Sequence, residues 1–154
     1  IQTPLGIAII TGDENGIQRI SITDNEEADI SSLKIPDCLE NAAIQLQEYF
    51  EGERTDFDLM LNPDGTDFQK KVWNELLKIP FGKTTSYLDI AKRLGDPKCI
   101  RAAASANGKN PLWIIIPCHR VIGTDGSLTG YAGGLWRKKW LLDHETPPIQ
   151  QSFF

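Results

Sequence analysis

The hydrophobic positions of this chain are organised differently on the two sides of residue 62. Upstream, two isoleucine-rich runs at 6–11 and 16–23 flank the polar stretch Gly12-Asp13-Glu14-Asn15-Gly16, a pattern that predicts a β-hairpin. After Pro36, Leu39, Ala43, Leu46 and Phe50 recur at helical spacing, whereas Phe57, Leu59 and Leu61 alternate as a strand does. A small sheet with one helix is therefore expected for residues 1–62. The turn-forming run Leu61-Asn62-Pro63-Asp64-Gly65 marks its end.

Downstream the spacing is helical and well punctuated. Thr66 with Gln69 three residues on forms a capping-box signature ahead of Phe68, Val72, Leu76 and Leu77, and Pro80 with Gly82 stops that helix. Ser86 and Asp89 repeat the arrangement ahead of Leu88, Ala91 and Leu94, which Gly95 ends. Asp96 suits the cap of a further helix, Pro97 its first turn and Gly108 its C-cap, around an alanine-rich body of Ala102, Ala103, Ala104 and Ala106. Two short helices joined through Gly-Asp-Pro resemble a helix-turn-helix, in which small side chains permit close approach to another surface. Packing of the same alanines inside a core is the competing reading. Residues 63–154 are expected to be mostly helical, and the chain as a whole α+β.

At 154 residues and 40% hydrophobic content, the chain supports one ordinary core or two small ones rather than a disordered or fibrous protein. No apolar run approaches the ~18–20 residues of a membrane span, and no signal-peptide pattern opens the sequence. A cytoplasmic protein without a membrane partner is expected. Cys38, Cys99 and Cys118 are an odd number, read as free thiols in a reducing compartment. The net charge of −5 argues against a nucleic-acid partner until it is divided. Residues 1–64 carry three cations and 14 acids, a net of −11, and residues 65–154 carry 13 cations and seven acids, a net of +6. Lys70, Lys71, Lys92, Arg93, Lys98, Arg101, Lys109, Arg120, Arg137, Lys138 and Lys139 contribute to the second figure, and a surface built from them would attract a phosphate backbone. The acidic half, with Glu26, Glu27 and Asp29, would turn nonproductive faces away from phosphates.

The run 113–123, Trp-Ile-Ile-Ile-Pro-Cys-His-Arg-Val-Ile-Gly, carries the informative chemistry. Ile114 to Ile116 read as a buried strand, and Pro117, which cannot donate to a ladder, ends it just before Cys118. Cys118 is either an inert core thiol or a nucleophile whose thiolate is favoured by the adjacent His119 and Arg120. In extended chain neighbouring side chains point to opposite faces, so His119 would reach Cys118 only through a water or a local turn. Its orienting acceptor would come from Asp143-His144-Glu145, unless that cluster is simply a polar helix end. No Cys-x-x-Cys pair or zinc-like spacing is present, so no metal is expected.

Pro117-Cys118-His119-Arg120-Val121, Gly130-Tyr131-Ala132-Gly133-Gly134 and Trp140-Leu141-Leu142 followed by His144-Glu145 together resemble the active-site signature of the O6-alkylguanine-DNA alkyltransferases, the methylated-DNA–protein-cysteine methyltransferases. Ser86-Tyr87, Gly95-Asp96-Pro97, Arg101-Ala102 and Asn110-Pro111 match the same family in order and spacing. The resemblance covers residues 65–145 strongly and Thr3-Pro4-Leu5-Gly6 more loosely.

This resemblance implies a ribonuclease H-like scaffold over 1–62 and a helix-turn-helix, winged-helix-like alkyltransferase domain over 63–154. It also implies a monomer acting without cofactor on double-stranded DNA that contains O6-alkylguanine, with O4-methylthymine as a second candidate substrate. Cys118 would accept the alkyl group irreversibly, and the protein would be consumed. His119 would act as base through a water, oriented by Glu145, with Asn110 as a structural residue beside the turn. Tyr87 would donate a proton as guanine leaves. Arg101 would fill the gap left by an extruded nucleotide, and Ala102 would permit close approach in the minor groove. Backbone of Cys118 and Val121 would accept from the guanine amine, the Ala132 N–H would bond O6, and Tyr131 and Gly133 would wall the pocket. The competing classes are a lesion-binding module in which Cys118 is structural and a Cys-His-Glu hydrolase that turns over.

Overall fold

In the computed structural model of the chain, which describes residues 1–24 and 35–146, the two isoleucine-rich runs form an antiparallel pair, β2 (Gly6–Asp13) and β3 (Gly16–Thr23). The short β1 (Gln2–Thr3) adds at the outer edge, giving sheet order β1-β2-β3. Asp13 holds the hairpin tip by accepting from the Asn15 N–H at 2.8 Å. Helix α1 (Asp37–Phe50) packs on β2 and β3 through Leu39, Ala42, Ala43, Leu46 and Tyr49, all buried. Glu26, Glu27 and Asp29 lie outside the described residues.

Two compact units result. The first comprises Ile1–Asp64 and Pro111–Ile115, and the second Gly65–Asn110 and Ile116–Phe154. The division expected at residues 62 and 63 is thus interrupted by a later segment of chain. Backbone hydrogen bonding is the cause: the Ile20 N–H donates to the Pro111 carbonyl at 2.8 Å, and the Trp113 N–H donates to the Ile20 carbonyl at 3.2 Å.

Both further strands expected from the sequence are absent, each for an identifiable reason. Residues 57–61 make a single bridge, Leu61 to Ile17. Upstream of it the Gln45 amide takes the place of a strand partner, donating to the Asp58 carbonyl at 3.0 Å and accepting the Asp58 N–H at 2.9 Å. Residues 114–116 are buried as expected but turn instead of extending. The Ile115 N–H donates to the Trp113 carbonyl across Ile114, whose φ is +75°, the strained hand of the γ-turn. Pro117, at φ −81° and ψ 61°, then centres an inverse γ-turn in which the Cys118 N–H donates to the Ile116 carbonyl at 2.7 Å. Positive φ at a β-branched residue costs about 1–3 kcal/mol. The turns satisfy buried backbone groups that have no sheet edge to pair with.

The second unit is helical. Helix α2 (Asp67–Leu76) starts at a complete capping box: Thr66 accepts the Gln69 N–H at 3.1 Å and its own N–H donates to the Gln69 side chain at 2.9 Å. Trp73 donates from its indole to the Ala106 carbonyl at 2.9 Å, tying α2 to the alanine-rich helix. Gly65 lies under that indole, where a Cβ would sit 2.5 Å from Trp73 Cη2. The short β4 (Thr85–Ser86) pairs in parallel with β5 (Val121–Ile122). Helix α3 (Tyr87–Arg93) is capped by Ser86 and ends before Gly95, whose φ of +97° closes the helix as only glycine does readily. Asp96 caps a 3-10 turn, Pro97–Cys99, which leads into α4 (Ile100–Gly108), so the alanine-rich helix begins three residues later than its capping signal predicts. Helix α5 (Leu135–Glu145) completes the unit.

Candidate active site

Cys118–Arg120 form one 3-10 turn at the mouth of β5, not extended chain, and all three residues are buried. The turn is pinned from behind by Asn110, whose Nδ2 donates to the Ile116 carbonyl at 2.8 Å and whose side chain also hydrogen-bonds Cys118.

His119 has no exposed surface, and its Nε2 lies 2.7 Å from Glu145 Oε2. Arg120 grips the same carboxylate with two bonds, Nε to Oε1 at 2.7 Å and Nη2 to Oε2 at 3.0 Å, and its Nη1 donates to the Ile79 carbonyl at 2.7 Å. Burial alone would raise the Glu145 pKa, but the His119 and Arg120 hydrogen bonds override it and hold the carboxyl at about 2. A carboxylate only accepts, so the ring proton of a neutral His119 sits on Nε2. Burial lowers the His119 pKa despite Glu145, which keeps the ring neutral. Its Nδ1 is left as a lone pair with no hydrogen-bond partner among the described residues.

Cys118 is buried at the start of that turn. Burial pushes its thiol up to about 11, against the Asn110 hydrogen bond and the charge of Lys138, so at neutral pH it is a protonated thiol. Arg120, expected to favour the thiolate, is instead committed to Glu145. Of the acceptor cluster 143–145, only Glu145 faces inward. Asp143 pairs with Lys139 at 2.8 Å on the exposed side of α5, and His144 stacks on Trp140. Glu145, Leu141 and Lys138 share the buried stripe of that helix.

Tyr87 opens α3, and its hydroxyl accepts from Thr129 Oγ1 at 3.0 Å. Tyr131 is half-buried; burial and then the negative charge available at Cys118 push its hydroxyl well above its ordinary value, with Arg137 opposing. Gly133 is buried and its carbonyl accepts from Arg137 Nη1 at 3.0 Å, whereas Ala132 is exposed. Val121 is buried, and its carbonyl accepts from Lys138 Nζ at 2.6 Å.

Helix α4 turns Ala103, Ala106 and Asn107 inward and leaves Arg101, Ala102 and Ser105 exposed. Lys92, Arg93, Lys98 and Lys109, in or beside the helix-turn-helix, are exposed as well. Arg120, Arg137 and Lys138 are buried, so three of the cations counted toward a phosphate-facing surface serve the interior. Composition could not reveal this, but helical register could: Lys138 lies three residues before Leu141 and seven before Glu145. Among the described residues no group of His, Cys, Asp and Glu could hold a metal ion, and no helix is long and apolar enough to cross a membrane.

The second unit thus joins a helix pair, whose alanine-rich helix exposes Arg101 and Ala102, to a buried cysteine and a His-Glu-Arg chain. Comparison with known proteins gives the family. The ribonuclease-like domain of 6-O-methylguanine DNA methyltransferase matches residues 1–63, and the DNA-binding domain of the same family matches residues 67–147. The chain is 45% identical over 151 residues to a methylated-DNA–protein-cysteine methyltransferase of Methanosarcina acetivorans, covering 94% of each chain. It is 46% identical over 151 residues to the constitutive enzyme of that name from Bacillus subtilis, covering 94% of this chain and 92% of that one. A solved structure of Mycobacterium tuberculosis OGT in complex with DNA superposes with a TM-score of 0.82 at 42% identity, covering 100% of this chain and 97% of the other. The chain belongs to the 6-O-methylguanine DNA methyltransferase family.

Proposed function

We propose that this chain repairs DNA by taking the alkyl group of O6-methylguanine onto Cys118 in a single, irreversible turnover. One observation carries the reading: a buried thiol on a pinned turn is followed by a buried neutral histidine whose outer nitrogen is held by Glu145 and whose inner nitrogen, Nδ1, is an unoccupied base. A water between Cys118 Sγ and His119 Nδ1 carries the thiol proton to the imidazole as sulfur attacks. The S–C bond forms, the C–O6 bond breaks, and guanine leaves with the bonding pair. Tyr87 supplies the proton to the departing base: its oxygen already accepts from Thr129, which leaves its own O–H to donate. The proton on His119 restores that tyrosine. The thioether left on Cys118 has no leaving step, which distinguishes this chemistry from that of a Cys-His-Glu hydrolase.

Burial keeps the thiol protonated, at about 11, so its proton has to be drawn off as the sulfur attacks. Burial of the sulfur requires the base to leave the duplex. Arg101 and Ala102, exposed on α4, suit the minor groove, with Arg101 filling the gap. Val121, Tyr131, Ala132 and Gly133 frame the base, and Asn110 keeps the turn in place. We assign residues 63–154 to DNA binding and transfer and residues 1–62 to a scaffold, with Pro111–Ile115 grouping with the scaffold. Three free thiols suit the cytoplasm.

The test is on the DNA: a duplex in which O6-methylguanine blocks a restriction site becomes cleavable in proportion to protein added. A site that stays blocked at excess protein contradicts the reading. Arg101→Ala should abolish the fluorescence change of a base analogue placed at the lesion while duplex affinity falls by no more than about tenfold. An unchanged fluorescence signal would remove Arg101 from its assigned role.

A further inference from the structure

From residue 124 to residue 130, Thr129 alone is not exposed, although the apolar Leu128 beside it is left in solvent. Apolar packing would have favoured the reverse, so the polar atoms of Thr129 are what turn it inward. Both are engaged. Its carbonyl accepts from a buried lysine, Lys138, at 3.0 Å, and its Oγ1 lies 3.0 Å from the hydroxyl of Tyr87, 42 residues away in sequence. The parallel pairing of β4 with β5 supports that contact, because β4 directly precedes Tyr87 and β5 leads into the loop that carries Thr129. Branching at Cβ stiffens χ1. A threonine held by its carbonyl therefore presents its hydroxyl in a fixed direction, at the phenolic oxygen.

We propose that Thr129 is a positioning residue for Tyr87: its hydroxyl donates into the phenolic oxygen, aims the tyrosine O–H at the departing base, and meets the negative charge that this oxygen gains as its proton leaves. The inference rests on the alkyl-transfer reading above, with Tyr87 as the proton donor. A tyrosine hydroxyl carries one proton of its own. With the Thr129 proton occupying an acceptor position, the Tyr87 proton is directed elsewhere. In the step itself the phenolic O–H bond breaks and an N–H bond forms on guanine. The bond from Thr129 then ends on an anionic oxygen and strengthens, until the phenol regains a proton. Thr129 keeps its own proton throughout and touches neither the sulfur nor the alkyl group.

The test is single-turnover methyl transfer from a duplex carrying one O6-methylguanine, measured for Thr129→Val, Tyr87→Phe and the double variant. Thr129→Val keeps the shape and removes the donor. It should slow transfer by about 10–100-fold, comparable to loss of one donor to a developing oxyanion, with affinity for the lesion duplex unchanged. In the Tyr87→Phe background the same substitution should cost less than about twofold, since no phenolic oxygen is left to meet. Thr129→Ser retains the donor and should stay within about threefold of the wild-type rate, its freer χ1 accounting for the difference. A wild-type rate in Thr129→Val, an equal slowing in both backgrounds, or a Thr129→Ser rate as low as that of Thr129→Val would each overturn the proposal. If Thr129→Val does not fold, Thr129→Ala takes its place in the cycle with the same outcomes. Transfer by Tyr87→Phe at the wild-type rate would remove the role of the tyrosine and this proposal with it, whereas a wild-type chain that transfers no methyl would overturn the alkyl-transfer reading itself.

Discussion

Glu145→Gln is expected to destabilise the protein by about 3–5 kcal/mol, the range for removing one partner of a buried ion pair. The substitution preserves size and shape, so packing is not the cause. What it removes is the charge that answers a bidentate Arg120 and orients His119, all three residues being buried. Arg120 would keep its bond to the Ile79 carbonyl but lose its counter-charge. Urea unfolding should show a lower midpoint at unchanged slope; an equal midpoint would show that the triad does not stabilise the fold. The same carboxylate sets an acid limb. Its folded pKa of about 2 lies below its ordinary 4.5, so its contribution is present above pH 4.5 and is lost as pH falls from there toward 2. Glu145→Gln should flatten that limb.

Cys118→Ser is expected to abolish alkyl transfer while leaving the chain folded and able to bind duplex DNA. Serine occupies the same turn and keeps the Cys118 N–H bond to the Ile116 carbonyl. Its hydroxyl, however, is a far weaker nucleophile, and a water-bridged imidazole does not generate an alkoxide that competes with a polarisable sulfur. Thermal unfolding should shift by only about 2–4 °C, the effect of ~1 kcal/mol in a chain of this size. Methyl transfer by the serine variant would show that another residue accepts the group.

Much of this architecture is legible in the sequence because it is local. The Thr66–Gln69 capping box, the Ser86 cap and the glycine stop at Gly95 need only neighbours within four residues. The missing strands at 57–61 and 114–116 failed for the opposite reason, since a strand requires an edge to pair with. At the first, the Gln45 amide intervenes; at the second, the backbone closes on itself in γ-turns. Cys118 and its neighbours are singled out by the resemblance of Pro117-Cys118-His119-Arg120 to a known signature, whereas spacing alone does not choose among Asp143, His144 and Glu145. Helical register makes that choice. The inward stripe that selects Glu145 also buries Lys138, which a count of charges assigns to the surface.

The most direct test is the intact mass of the protein after incubation with excess duplex DNA containing O6-methylguanine. A gain of one methyl per chain, located on Cys118 and not increased by fresh substrate, is the result required. An unchanged mass with the DNA repaired, or repair of many lesions per protein chain, would contradict irreversible transfer to Cys118.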